Sequence, residues 1–134
     1  MNFTQLQEKI GAQNKSDWRQ HTNGGGWLHK YASVYSTAFI GENAIVWGQV
    51  YGDAQVYGDA QVYGDAWTKS PLFIVGSKHS LTNAKHGHIQ IGCKCETFTW
   101  WKREGRKFAK ENGYTTAEIK EYSAYVNLFI KVGK

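Results

Sequence analysis

Residues 50–66 read V-Y-G-D-A-Q-V-Y-G-D-A-Q-V-Y-G-D-A, a six-residue unit repeated almost without error. A short fixed period means one backbone unit copied along an axis, each copy burying its apolar side against the next. Within A-Q-V-Y, the alternation of a strand sends Ala and Val to one side and Gln to the other. Gly-Asp then turns the chain, because Gly supplies backbone freedom and the Asp carboxylate bonds nearby amides. The unit is a short strand plus a corner, and its Ala is small enough for a narrow core to close around the neighbouring Val.

The period extends beyond the perfect copies. Stepping back by six gives an aliphatic series Leu28, Val34, Ile40, Val46, with Gly26, Ala32, Ala38, Ala44 two positions before each. After a two-residue deletion near Trp47-Gly48 the series resumes as Val50, Val56, Val62, then Thr68 and Ile74. These are nine sides; with three sides to a triangular coil, they predict about three coils. Stacked neighbours then lie one full coil apart, eighteen residues, or sixteen across the deletion. The outward columns are expected to be Phe39/Gln55/Phe73 and Ile45/Gln61/His79, with Asp53, Asp59 and Asp65 on three different corners. Phe39, Ile45, Trp47, Trp67 and Phe73 would then form an outward apolar surface, expected to lie against a partner subunit or the terminal helices.

Over roughly residues 26–76 this pattern resembles the hexapeptide repeat of left-handed parallel β-helix proteins, a group that includes trimeric acyltransferases and γ-type carbonic anhydrases. The resemblance implies the left hand of the coil, and it agrees with a homotrimer, whose symmetry matches a triangular cross-section. The expected fold is mainly β: a short left-handed parallel β-helix of about three coils with a C-terminal two-helix cap. It is read as one domain over 1–134, divided into an N-terminal segment 1–23, a β-helix 24–97 and a helical cap 98–134.

The flanks are less regular. Phe3, Leu6 and Ile10 at helical spacing ahead of Gly11 predict a short amphipathic helix. Residues 77–95, S-K-H-S-L-T-N-A-K-H-G-H-I-Q-I-G-C-K-C, break the hexads and are read as an irregular coil, with Ile89, Ile91, Cys93 and Cys95 alternating as one more strand. A helix over 99–111 carries Trp101, Gly105 and Phe108 on one face and stops at Asn112-Gly113. Thr115 and Glu118 form a capping box for a second helix to about Lys131, with Ile119, Tyr122, Val126 and Phe129 as its stripe. These helices are expected to cover the open end of the coil, since bare strand edges invite aggregation.

Composition excludes several classes. Six Trp, eight Tyr and six Phe in 134 residues supply too much apolar surface for a disordered chain. No apolar run has the length of a membrane span, and no signal-peptide layout opens the sequence, so a cytoplasmic protein is expected. Cys93 and Cys95, two apart, would set their Cα atoms roughly 6.6 Å from each other on a strand, near the upper limit for a disulfide, and read as free thiols. The net charge of +5 is unevenly spread. Residues 31–68 contain no Lys or Arg and four acids, whereas residues 69–134 contain twelve basic residues against five acidic ones. An anionic partner belongs with the C-terminal half.

The chemistry-bearing side chains concentrate there. His79, His86, His88, Cys93 and Cys95 are types that bind zinc. On a continuous strand, however, His86 and His88 face opposite to Cys93 and Cys95, so no shared metal site is assigned. No cofactor is expected. The acyltransferase resemblance implies a His as general base, and His79 would take that role if the protein is an enzyme; otherwise no catalytic residue is assigned. The spacing of the three histidines departs from the γ-carbonic anhydrase pattern. A binding reading uses Lys78, His79, Lys85, His86 and His88 as a basic cluster, with Asn83 among them. Lys78, His79, Lys85 and His86 would neutralise phosphates, Trp100 or Trp101 would stack on a base, and Arg103 belongs to the basic helix that follows. The size of the patch favours a small anionic nucleotide-type ligand over nucleic acid.

A further resemblance joins Gly25-Gly26-Trp27, the V-Y-G-D-A repeat, the segment His79–His86, Ile91-Gly92-Cys93 and the helical tail: this layout is similar to small hexapeptide proteins encoded by phages and prophages. That resemblance implies a host-cell setting and a role such as a sponge for a nucleotide immune signal. The expected function is a non-enzymatic, homotrimeric binding protein for a small phosphorylated ligand; the alternatives are an acyltransferase-like enzyme and a structural or protein-binding module.

Overall fold

In the computed structural model, which describes residues 1–64 and 66–134, the aliphatic series stacks strand on strand as its period predicts. The chain divides into two compact units, Met1–Ser70 and Pro71–Lys134. In the first, helix α1 (Phe3–Ile10) precedes strands β1 (Trp18–Gln20), β2 (Trp27–His29), β3 (Ser33–Val34), β4 (Phe39–Ile40) and β5 (Ile45–Val46). There follow β6 (Gln49–Val50), β7 (Gln55–Val56), β8 (Gln61–Val62) and β9 (Ala66–Trp67). Successive strands from β2 onward fall on three sheets in turn, giving parallel stacks β2-β5-β8, β3-β6-β9 and β4-β7. Leu28 pairs with Val46, and Val46 with Val62. Ile40 pairs with Val56 and Val34 with Val50, so the predicted sixteen- and eighteen-residue steps both occur.

The inward positions are as expected. Ala32, Ala38, Ala44, Ala54 and Ala60 are buried beside Leu28, Ile40, Val46, Val50, Val56 and Val62. Gln49 and Gln55 face solvent. Corner glycines Gly52 (φ +59) and Gly58 (φ +57) occupy the left-handed region that other residues avoid. Rings one coil apart lie over one another: Tyr35 on Tyr51 at 5.0 Å and Trp47 on Tyr63 at 4.9 Å between centroids. The corner assigned to Asp65 lies outside the described residues.

One expectation for this unit changes. The register slips by one residue at the last step, so that Trp67, not Thr68, pairs with Val50. Trp67 is therefore 1% exposed and fills the core instead of the surface, because a one-residue slip moves a side chain to the other face. Ile45 points outward from its strand and lies under the N-terminal helix, one of the two expected covers: Leu6, Trp18 and Trp27 pack on it, flanked by Phe3, Ile10 and Trp47. The N-terminal segment supplies this cover. Asn2 caps α1 by exchanging hydrogen bonds with Gln5 (both 2.8 Å), Gly11 ends the helix, and β1 then runs antiparallel along the edge of β2.

The second unit holds β10 (Phe73–Val75), β11 (Ser80–Lys85), β12 (His88–Ile91), β13 (Lys94–Thr97), α2 (Phe98–Glu111) and α3 (Thr116–Val132). The sequence reading carried the coil to residue 97. The structure instead makes β10-β11-β12-β13 an antiparallel meander, with Phe73 opposite Thr82 and Ile74 opposite Leu81. The parallel stacking reaches Trp67, and beyond it the sequence has no further Gly-Asp pair. Residues 76–79 turn the chain between the paired Val75 and Ser80, and two two-residue turns follow, His86-Gly87 between the paired Lys85 and His88 and Gly92-Cys93 between the paired Ile91 and Lys94. Both turn glycines have positive φ, as tight hairpins require.

The tail helices pack on this sheet, around a core of Leu81, Ile89, Ile91, Trp101, Tyr122, Val126 and Phe129. Thr97 caps α2, and Thr115 with Glu118 forms the predicted box at α3. The helices span 8, 14 and 17 residues, about as many together as all thirteen strands, so the fold is mixed α and β, not mainly β. Among the described residues no helix is long and apolar enough to cross a membrane.

Candidate functional site

The feature most like a binding site lies within the second unit, between α2 and α3. Gly105 sits in the middle of α2, where it costs about 0.5–1 kcal/mol relative to Ala. It is a lining residue of a cavity of about 550 Å3. Trp101, Phe108, Tyr114 and Tyr122 form aromatic walls, Ile91, Ile119 and Val126 add aliphatic surface, and Lys102, Arg103 and Arg106 bring three cations to it. The lining is divided about evenly between apolar and polar surface, Ser123 and Asn127 adding neutral polar groups to the three cations.

The aromatic walls are held in place. The Trp101 indole donates its Nε1–H to the Ile89 carbonyl at 2.8 Å, which pins α2 to β12. Tyr114 meets Tyr122 edge-on with centroids 5.3 Å apart, and burial pushes the Tyr114 hydroxyl up, helped by Tyr122 and Glu118. The Tyr122 hydroxyl accepts from the backbone N–H groups of Lys78 (2.9 Å) and His79 (2.6 Å) and donates to the His79 carbonyl (2.7 Å). Nearby, the Ser77 N–H (2.9 Å) and hydroxyl and the Tyr125 hydroxyl (2.8 Å) all donate to Glu121, and these bonds hold its carboxyl below the usual range. The segment 77–79 is thereby strapped to α3.

This strap decides which sequence-assigned residues gather at the cavity. Lys78 sits with its ammonium 5.0 Å from the centroid of Tyr114, and the His79 ring lies 6.2 Å from it. Both therefore border a cavity wall. Trp101 and Arg103 line the cavity directly. Arg103 is exposed and pairs with its neighbour Glu104 at 3.1 Å.

The rest are elsewhere. Lys78 and His79 precede β11 and Lys85 and His86 lie at its far end, a strand about 17 Å long at roughly 3.3 Å per residue, so the four groups expected to neutralise phosphates together are split into two pairs. Asn83 is buried and structural: its amide donates to the carbonyls of Lys85 (3.0 Å), His88 (3.1 Å) and Lys134 (3.3 Å) and accepts from the Lys134 N–H at 2.7 Å. His88 orients its Nδ1 to the His86 carbonyl at 2.9 Å. Trp100 stacks outside the cavity against Trp101 and Phe108, with the Lys94 ammonium 5.1 Å from its centroid. Cys93 and Cys95 are free thiols, and burial raises that of Cys95. Among the described residues no three His, Cys, Asp or Glu side chains converge as a metal site would require.

Sequence reasoning had no means of finding Tyr114 and Tyr122 as walls, because they meet only when α3 folds back on α2. Arg106 and Lys102 were visible as helix cations; their position at the cavity was not. No family model, curated protein or solved structure matches the chain.

Proposed function

We propose that this protein is a non-enzymatic binding protein that captures a small phosphorylated, nucleotide-type ligand in the α2–α3 cavity. The observation that carries the reading is the joining of aromatic walls to three cations at one cavity of about 550 Å3, well inside the range of ligand sites. Trp101 and Tyr114 offer apolar surface to a base, and Arg103 and Arg106 offer forked donors that match phosphate oxygens. Lys78, beside Tyr114, adds a fourth cation within reach of the same wall.

The first unit serves this reading as a scaffold. Parallel strands that visit three sheets in turn fit a short left-handed β-helix, and a triangular prism of this kind would assemble as a homotrimer. Tyr35 and Tyr57, 54% and 48% exposed, are outward residues that such an assembly would cover. Resemblance to phage-type hexapeptide proteins makes removal of a host nucleotide signal the setting in which capture would act.

Mass spectrometry of material released from the purified, denatured protein tests the reading. A nucleotide recovered in stoichiometric amount, and lost in a Gly105→Leu variant that fills the cavity, is the expected result. Recovery of coenzyme A would redirect the assignment to acyl transfer with His79 as base. If no ligand is released and nucleotides leave the melting temperature unchanged, capture is wrong. Light scattering that returns a monomer mass would remove the trimer.

A further inference from the structure

The solvent face of α2 carries Lys102, Arg103, Arg106, Lys107 and Lys110, all exposed. At 3.6 residues per turn these five fall within an arc of about 140°. Trp101, Phe108 and Ala109 lie on the remainder of the helix, toward the core, and Glu104 and Glu111 fall outside the arc. Like charges stand four residues apart at 102/106, 103/107 and 106/110, and three apart at 103/106 and 107/110. Pairs at these spacings are neighbours on the helix surface, and like-charge pairs repel and destabilise it. Arg103 pairs with Glu104 at 3.1 Å, and Lys107 stands three and four residues from Glu104 and Glu111; Lys102, Arg106 and Lys110 have no acidic neighbour at these spacings, so their mutual repulsion is uncompensated along the helix. A bound polyanion would relieve it.

The same arc begins at the cavity. Lys102, Arg103 and Arg106 line it, and Lys107 and Lys110 continue the stripe away from it. From Lys102 to Lys110 the stripe runs about 12 Å at 1.5 Å per residue. An unstacked single strand spaces its phosphates more widely than the roughly 3.4 Å rise of a duplex strand, and would place about two or three charges along that length. A mononucleotide held in the cavity leaves Lys107 and Lys110 without a phosphate.

We infer that the ligand is a short single-stranded oligonucleotide, one base inserted between Trp101 and Tyr114 and its phosphodiester backbone laid along the basic face of α2. This rests on the reading of the cavity as a nucleotide site and deepens it. The strand is single because the inserted base must be free of pairing and stacking, a cost that a duplex would have to meet first. Stacking on the cavity walls and charge on the helix are the two components by which single strands are held without base-edge readout.

The test is calorimetric titration of the full chain with nucleoside 5′-monophosphates and with 5′-phosphorylated tetranucleotides of each base, at 50 and 200 mM NaCl. Tetranucleotides are expected to bind at least tenfold more tightly than monophosphates. Their log–log salt slope should be near −2, since each neutralised phosphate contributes about −0.7 on a single strand. The Lys107→Glu/Lys110→Glu variant, altered outside the cavity lining and checked for unchanged circular dichroism, should lose tenfold or more in tetranucleotide affinity and keep its monophosphate affinity. Equal affinity for monophosphate and tetranucleotide, or a double variant that binds tetranucleotide as tightly as the parent, overturns the oligonucleotide assignment and leaves nucleotide capture standing. Equal affinity for a hairpin whose stem is fully paired also overturns it. Failure of both monophosphate and tetranucleotide to bind removes the capture reading and this inference with it.

Discussion

Tyr122 and His79 are joined by two hydrogen bonds of opposite sense: the tyrosine hydroxyl accepts from the His79 N–H at 2.6 Å and donates to the His79 carbonyl at 2.7 Å. The same oxygen takes the Lys78 N–H at 2.9 Å, so one side-chain atom from α3 satisfies three backbone groups of a turn more than forty residues earlier. This turn carries the two basic residues that border Tyr114.

Removing that oxygen leaves partly buried backbone groups unpaired. Tyr122→Phe is expected to destabilise the second unit by about 1–3 kcal/mol, the usual penalty for stranding such groups. Urea unfolding followed by far-ultraviolet circular dichroism measures it. A change below a few tenths of a kcal/mol would mean that the strap contributes nothing.

Gly105 separates stability from binding. A methyl group added there meets Trp101 at ordinary van der Waals distance, 3.4 Å, and the backbone is helical. Gly105→Ala should therefore stabilise the protein by about 0.5–1 kcal/mol. Gly105→Leu should fill the cavity and weaken nucleotide binding tenfold or more. Thermal melts with and without nucleotide read both effects.

The Ser77–Glu121–Tyr125 cluster sets an acid limit. Hydrogen bonds from Ser77, then Tyr125, depress the Glu121 carboxyl below its ordinary value of about 4.3. A depressed folded value means that its contribution is present above the unfolded value and is lost as pH falls through the folded one. Stability should therefore decline below about pH 4.3, and Glu121→Gln should flatten that part of the curve. Denaturation midpoints from pH 6 to pH 3 check this. Tyr125 behaves oppositely: its hydrogen bond to Glu121 raises it, so its contribution holds below the ordinary tyrosine value of about 10 and is lost at higher pH.

Trp67 tests the register of the last parallel step. It is 1% exposed and pairs with Val50, so Trp67→Ala should cost about 3–5 kcal/mol in the first unit. A surface tryptophan at that position would cost almost nothing. Guanidinium titration of the variant distinguishes the two.

Much of the first unit was legible because a hexad is local information: residues 28, 46 and 62 repeat an environment that depends on period alone. The same logic failed at Trp67, where a single-residue slip inverted inside and outside; Ile45 is outward in its strand, as the hexad requires, and lies under α1. In the second unit the tail helices were legible from Thr115, Glu118 and the Asn112-Gly113 stop. The strands between 73 and 97 were not, because their direction is set by the turns His86-Gly87 and Gly92-Cys93 and by pairing across them. The alternation K-H-G-H-I-Q-I-G-C-K-C around two glycines was the available signal.

The sequence by itself determined the coil period, the inward and outward assignment of residues 28–62, the helical tail and the excess of cations on α2. Each follows from short-range rules: side-chain alternation, corner glycines, caps and charges on one helix. Tertiary structure alone decided that Lys78 and His79 stand beside Tyr114 while Lys85 and His86 lie a strand-length away, and that an absent side chain at Gly105 opens onto a cavity. These depend on where α3 lies against α2 and on one hydroxyl reaching back to a distant turn, relations between residues that no local pattern encodes.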